Sequence, residues 1–264
     1  MQGSDGKAIA QTAAVLEAAV REAGELALGF FRKSPRQWAK GEASVVSEAD
    51  LAVDHFLRQR LTGAMPGFGW LSEETEDDQS RLTAEYVWIV DPIDGTRAYL
   101  AGQADWTVSV ALASAGRPVL AALYAPVTQE LFLAQAGRGA TLNGEPILTS
   151  QAIGLAGARA VGPKRFLQQL ADHDARVVAM PRIGSLALRL ARVAQGQFDI
   201  CIVGGNSHDW DLAAADLLMH EAGGLLTSLV GEPIIYNRFG LVHRALIAAG
   251  RSRHSLLIDL VRDD

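Results

Sequence analysis

Trp88-Ile89-Val90-Asp91-Pro92-Ile93-Asp94-Gly95-Thr96 is the stretch on which the fold of this chain turns. The apolar run from Tyr86 to Val90 predicts a buried strand. It delivers two carboxylates, Asp91 and Asp94, into a turn containing proline and glycine, with the hydroxyl of Thr96 directly after Gly95. Proline cannot donate to a sheet ladder, so the strand is expected to end at Asp91 and stop at Pro92. Gly95 allows backbone to approach a ligand closely, and the amides after it could open a helix aimed at an anion. Hard cations take oxygen ligands, and Mg²⁺ is commonly shared between carboxylates and a substrate phosphate. Taken alone, the same residues also fit a strand followed by an aspartate N-cap.

Two further acidic clusters stand where such a site would need them. Upstream, Gly69-Trp70-Leu71-Ser72-Glu73-Glu74 places adjacent glutamates after a short apolar run. Neighbouring carboxylates repel, which solvent or a metal relieves, and Glu76, Asp77 and Asp78 extend the acidic loop. Downstream, Asp209-Trp210-Asp211 precedes the apolar run Leu212 to Met219, which Gly223-Gly224 terminates. Asp211 therefore falls at a helix start, facing the positive end of the dipole, either as a cap or as a third oxygen ligand.

Together these segments resemble the inositol monophosphatase superfamily of Mg²⁺-dependent, Li⁺-sensitive phosphatases. Its Glu-Glu element matches Glu73-Glu74, and its Asp-Pro-(Ile/Leu)-Asp-Gly-Thr element matches Asp91 to Thr96. Its Trp-Asp-x-Ala element matches Trp210-Asp211-Leu212-Ala213-Ala214. Lys40 with Ser47-Glu48-Ala49-Asp50, Gly184-Ser185 and Glu221-Ala222-Gly223-Gly224 extend the likeness over nearly the whole chain. The resemblance implies an α/β fold, an αβαβα sandwich of the inositol monophosphatase and fructose-1,6-bisphosphatase type.

Composition agrees with a metal-dependent enzyme of small molecules. The chain has 264 residues, 49% hydrophobic and 20% charged, enough for one large or two ordinary domains. With 24 basic against 30 acidic residues it lacks a basic nucleic-acid footprint, so no direct nucleic-acid partner is expected. Cations rather than net charge would have to attract a phosphate ester. The single cysteine, Cys201, excludes an internal disulfide and reads as a residue of a core strand. No membrane span or signal segment is visible, and a cytoplasmic location is the default expectation.

Periodicity places a first helix over Ile9 to Phe30 and a second over Glu48 to Leu61. Trp106–Ala113, Val119–Tyr124 and Leu131–Ala134 read as an antiparallel meander separated by turn signals. After about Ser150 strands and helices alternate. Two layered halves are expected, residues 1–150 with the antiparallel sheet and 151–264 closing the site, with the site between them.

The resemblance further implies roles for individual residues. Glu73, Asp91 and the carbonyl of Ile93 would hold one Mg²⁺, and Asp91, Asp94 and Asp211 a second. A third, looser ion would use Glu73. Thr96, paired with Asp50, would orient the attacking water and take its proton, while the amides of Gly95 and Thr96 would cradle phosphate. Glu74, Lys40, His208 and Asp209 are equally compatible with solvated or loop positions. On the substrate side, inositol-specific members carry a glutamate seven residues before the Trp-Asp aspartate, and here that position is Gly204. Gly204 opens the substrate end, and Leu123 to Val127 looks more like bisphosphate nucleotidases of the CysQ type. The expected substrate is a small phosphate ester: 3′-phosphoadenosine 5′-phosphate, inositol 1-phosphate or histidinol phosphate. A homodimer is compatible with the resemblance, as is a non-catalytic RNA-polymerase-associated regulator with a vestigial site.

Overall fold

Alternation along Tyr86 to Asp94 decides where the layers lie. Val87 and Ile89 belong to one apolar core and Trp88 and Val90 to another, so the strand is buried on both faces. A strand covered on both sides reads as one continuous apolar run, as this one does. The computed structural model describes residues 2–40 and 44–261, with backbone alone for residues 2–8, 40 and 44. Lys40 closes a short strand, and its side chain lies outside the described residues.

Two short antiparallel strands, β1 (Gln37–Lys40) and β2 (Ser44–Ser47), lead into a seven-stranded sheet. Its strands, in spatial as in chain order, are β3 (Gly69–Ser72), β4 (Tyr86–Asp94), β5 (Thr107–Ser114), β6 (Arg117–Ala125), β7 (Glu130–Gln135), β8 (Gly139–Leu142) and β9 (Glu145–Pro146). Only β3 and β4 run parallel; β4 through β9 pair antiparallel, and the expected meander is β5 to β7. A second sheet has five strands. In chain order they are β10 (Arg159–Val161), β11 (Val178–Ala179), β12 (Ile200–Val203), β14 (Gly224–Ser228) and β16 (Leu246–Gly250), arranged 11-10-12-16-14. The remaining strands, β13 (Ser207–His208) and β15 (Val242–His243), pair beside the site.

Helices fill the other three layers. One outer layer is α1 (Gln2–Phe30) with α2 (Glu48–Ala64), packed on β4 to β6 through Leu16, Val20, Val53 and Leu57. The short α3 (Thr96–Leu100) follows β4, and α4 (Lys164–His173) lies on the far side. Between the sheets run α5 (Leu186–Ala194) and α6 (Asp209–Glu221), and α7 (Arg251–Leu260) covers the second sheet beside α4. Every residue of α6 from Leu212 to Met219 is buried, as a helix with sheets on both sides requires. The order is thus αβαβα, as expected. Cys201 sits fully buried in β12, where burial pushes its thiol up to about 11.

One expectation is corrected. Pro92 does not stop the strand: β4 runs on to Asp94, which pairs with Thr107 after a register shift between Asp91 and Asp94. A bulge accommodates the residue without an N–H and lets the ladder resume beyond it.

Candidate active site

The bulge sets Asp91 and Asp94 on either side of an irregular step at the end of β4. Asp91 Oδ1 accepts the Ile93 amide at 3.1 Å. Asp94 is gripped by the start of α5: its Oδ2 accepts Ser185 Oγ and the Ala187 amide, both at 2.6 Å, and its Oδ1 accepts the Leu186 amide at 3.2 Å. The same Ser185 oxygen caps α5 by accepting the Leu188 amide at 2.9 Å. Asp105 fixes the approach to that helix, accepting the Gly184 amide at 2.6 Å on its carboxylate and the Ser185 amide at 2.9 Å on its carbonyl.

Asp211 is the third residue of α6 rather than its cap. Its Oδ2 accepts the His208 amide at 2.6 Å in a capping box. Asp91, Asp94 and Asp211 each bring a carboxylate oxygen within 4.8 Å of the others. Burial pushes the Asp91 carboxyl well above the usual range, and the charges of Glu73, Asp94 and Asp211 push it further. Asp94 is raised by burial against the lowering effect of its three donors. Asp211 is pushed up to about 7, first by burial and then by the charge of Asp94. Three carboxylates so placed are costly to ionise without a cation, and an all-oxygen donor set of this kind fits a hard divalent ion.

Glu73 follows β3 directly and lines the same cavity, its amide donating to Val90 O at 3.2 Å. Asp54, reaching in from α2, accepts Ser72 Oγ at 2.5 Å and Thr75 Oγ1 at 2.7 Å, which fixes the loop carrying Glu73 and Glu74. Thr96 Oγ1 lies 3.1 Å from Asp50 Oδ1 and 3.1 Å from the carbonyl of Ile93. The other Asp50 oxygen accepts the Ser47 amide at 2.8 Å and the Ser47 hydroxyl at 2.5 Å. Burial raises the Asp50 carboxyl, while the bonds from Ser47 and Thr96 oppose that rise.

Gly95 adopts a φ of 95°, and a Cβ there would meet the Ser185 amide nitrogen at 3.0 Å and the Asp105 carbonyl at 3.1 Å. Only glycine fits both the conformation and the space. These groups surround a cavity of about 450 Å³ that also includes Arg97, Gln103 and Arg182. Gly204 stands apart from the trio, in a second cavity that shares Asp211 and Arg182 with the first. His208 stacks on Trp210 with ring centroids 4.7 Å apart. Asp209 is buried and anchors a loop, accepting the Asn237 amide and pairing with His243 Nε2, each at 2.7 Å.

The chain matches the inositol monophosphatase family model over residues 8–264. It belongs to the inositol monophosphatase family. Members of this family are metal-dependent hydrolases of phosphomonoesters. An inositol-1-monophosphatase of Caulobacter vibrioides is 34% identical, over 81% of this chain and 88% of that one. One from Rhizobium meliloti is 38% identical, over 73% and 75%. The crystal structure of the extragenic suppressor protein suhB from Bartonella henselae superposes with a TM-score of 0.82 at 32% identity, covering 93% of this chain and 96% of that one.

Four residues that frame the cavities were not singled out as functional from sequence: Asp105, Arg182, Ser185 and Arg189. Ser185 and Asp105 act by holding Asp94 and α5, relations across 91 and 79 positions of chain that no local pattern carries. For Arg189 a signal was present: it interrupts the apolar stretch Leu186-Ala187-Leu188-Arg189-Leu190-Ala191 on a helix whose other charged residue is Arg192.

Proposed function

We propose that this protein is a Mg²⁺-dependent phosphomonoesterase that hydrolyses a small phosphate ester with an activated water. The observation that carries this is the convergence of Asp91, Asp94 and Asp211 within 4.8 Å, in the cavity that is also lined by Thr96, whose hydroxyl is backed by the buried Asp50. Asp91, Asp94 and Asp211 would hold Mg²⁺, with Glu73 and the Ile93 carbonyl completing the set. Bound there, Mg²⁺ would supply Lewis-acid polarisation of the phosphate and a lowered pKa for the nucleophilic water.

The protein's own groups would do the rest. The Thr96 hydroxyl has one proton and two acceptors in reach, Asp50 Oδ1 and the Ile93 carbonyl. Asp50 would take that proton, the Ile93 carbonyl being among the groups that would hold the cation, and the lone pairs of Thr96 Oγ1 would receive a hydrogen bond from the water. The proton lost by the water passes to Thr96 Oγ1 as the Thr96 proton moves to Asp50. An Asp50 carboxyl raised by burial is the better proton acceptor for it. The amides of Gly95 and Thr96, at the tight turn beside the trio, would take phosphate oxygens. No covalent intermediate is required.

Inositol 1-phosphate is the reference substrate, since the relatives are named for it. Gly204, which leaves the substrate end open, argues for 3′-phosphoadenosine 5′-phosphate as well. Purified protein assayed for phosphate release from both esters, histidinol phosphate and fructose 1,6-bisphosphate, with Mg²⁺ and with chelator, is the test. Mg²⁺-dependent release from at least one is expected, and its absence from all four would refute the proposal.

A further inference from the structure

The second cavity, about 340 Å³, opens from the first through their shared Asp211 and Arg182 and is lined also by Arg189, Val203, Gly204 and Asn206. A phosphate seated beside the trio would therefore extend its alcohol portion into this space. The chemistry of the lining is unlike what a neutral polyol requires. Apart from Asp211 at the junction, no acidic side chain lines it, and two arginines do.

Arg189 is the informative one. It is only 8% exposed, yet among the described residues its one hydrogen bond runs from Nε to the Ser185 carbonyl, at a long 3.4 Å. Its charge is close enough to Asp94 and Asp211 to lower both carboxyls, but among the described residues no carboxylate lies within ion-pair distance of it and its terminal nitrogens have no protein acceptor. A buried cation with an unfilled guanidinium fork is costly unless something pairs with it. The fork geometry matches phosphate or carboxylate bidentately. Arg182, exposed at the rim shared by both cavities, likewise has no ion-pair partner among the described residues. Gly204 contributes the room: a Cβ there would meet only Pro163 Cγ, at 3.5 Å, and at Gly205 only the Ala245 amide nitrogen, at 3.9 Å.

We propose that this cavity is an anion subsite, in which Arg189 and Arg182 take a second phosphate or a carboxylate carried on the alcohol portion of the substrate. This rests on the phosphatase reading above and narrows it from phosphate esters in general to esters bearing another negative group.

The test uses matched esters that differ only in that group. One pair is 3′-phosphoadenosine 5′-phosphate against adenosine 3′-phosphate, and the other 3-phosphoglycerate against glycerol 1-phosphate. Wild-type protein is expected to show a KM about 10- to 100-fold lower for the member carrying the second anionic group in at least one pair, the worth of charge-assisted hydrogen bonds to a desolvated guanidinium. The pair that responds identifies the anion as phosphate or carboxylate. Arg189→Gln should erase that difference while leaving kcat for the member without the second anionic group within a few-fold. Gly204→Glu, which places a carboxylate in the open volume beside the arginines, should do the same without touching α5. A readout independent of turnover is calorimetry with chelator present, where adenosine 5′-phosphate should bind wild type, adenosine should not, and Arg189→Gln should bind neither.

Equal KM values within both pairs would overturn the subsite, as would an Arg189→Gln variant that lowers kcat/KM equally for all four esters. The latter would make Arg189 a counter-charge to the aspartates alone. Hydrolysis of all four esters with no preference would leave the phosphatase reading standing and remove only the subsite, as would hydrolysis of inositol 1-phosphate but of none of these. No hydrolysis of these esters or of inositol 1-phosphate, histidinol phosphate and fructose 1,6-bisphosphate would remove both.

Discussion

Replacing Asp94 by asparagine separates the two tasks of that side chain, holding α5 and holding a cation. The amide keeps one acceptor oxygen, enough for Ser185 Oγ and the Ala187 amide, which both approach Oδ2 at 2.6 Å. Its NH₂ would then face the Leu186 amide, the longest of the three bonds at 3.2 Å. The structural loss is about one hydrogen bond, roughly 1 kcal/mol. Against it stands relief of repulsion: two unit charges at 4.8 Å, the outer limit of the trio's separations, would oppose each other by about 3.5 kcal/mol at an effective dielectric constant near 20, and by less to the extent that Asp91 and Asp211 hold protons. The metal-free variant should therefore melt at or above the wild-type temperature. Turnover should behave oppositely, since losing one well-placed electrostatic group in an active site reduces the rate about 10²- to 10³-fold. Paired assays decide the matter: thermal unfolding with chelator and with Mg²⁺, and phosphate release across a Mg²⁺ titration. Wild type should gain melting temperature with Mg²⁺ and Asp94→Asn should gain little. Near-normal turnover of the variant at ordinary Mg²⁺, or a metal-free melting temperature well below wild type, would refute the reasoning.

Thr96→Ala and Asp50→Asn should each depress kcat more than they raise KM, and the double variant should be scarcely worse than either single one, because both serve one proton path; additive losses in kcat would disprove the pairing. Lithium, placed among Asp94 and Asp211, would stabilise departing phosphate less well than a divalent ion, so inhibition should be uncompetitive or mixed; a purely competitive pattern in steady-state kinetics would contradict a shared site. Asp216 lies buried in α6, its carboxyl pushed from 3.8 up to about 6 mainly by burial, with Arg117 opposing at 3.6 Å. A raised folded pKa favours the folded state fully only below the unfolded value, and that contribution is lost as pH rises from about 4 to about 6, by about 3 kcal/mol. Asp216→Asn should flatten the fall of stability across that window in urea titrations, and an unchanged slope would place the titration elsewhere.

The trio was legible before the fold because Asp91, Asp94 and Asp211 sit in runs whose residue order is tied to chemistry. The apolar strand and the apolar helix that carry them are long enough to read. Other parts lacked such a signal. Pro92 reads as a stop because the missing N–H is a local fact, whereas the bulge that absorbs it depends on pairing with β5. The strands β10 and β14 are three and five residues long and owe their existence to neighbours in the sheet. The helix α4 could have been found: Pro163 precedes it, and Phe166 and Leu170, four apart, are its buried residues. The break in the apolar run marks Arg189 but not its role, since an arginine on a helix ordinarily reaches solvent. Only the packing of α5 against both sheets encloses it.

The grip of α5 on Asp94 has a consequence for synthesis on the ribosome. A nascent chain released as far as β9 already contains Glu73, Asp91, Asp94 and Thr96, but neither Ser185 nor Asp211. Without them Asp94 has lost its three donors from α5 and the cluster its third carboxylate. On the proposed reading such an intermediate would bind a cation weakly and would lack a competent site, so it would not hydrolyse phosphate esters before the second half docks. Cation capture would then coincide with docking of α5 and α6 onto the first sheet, and a ligand bound only by the docked form would draw the last folding step forward.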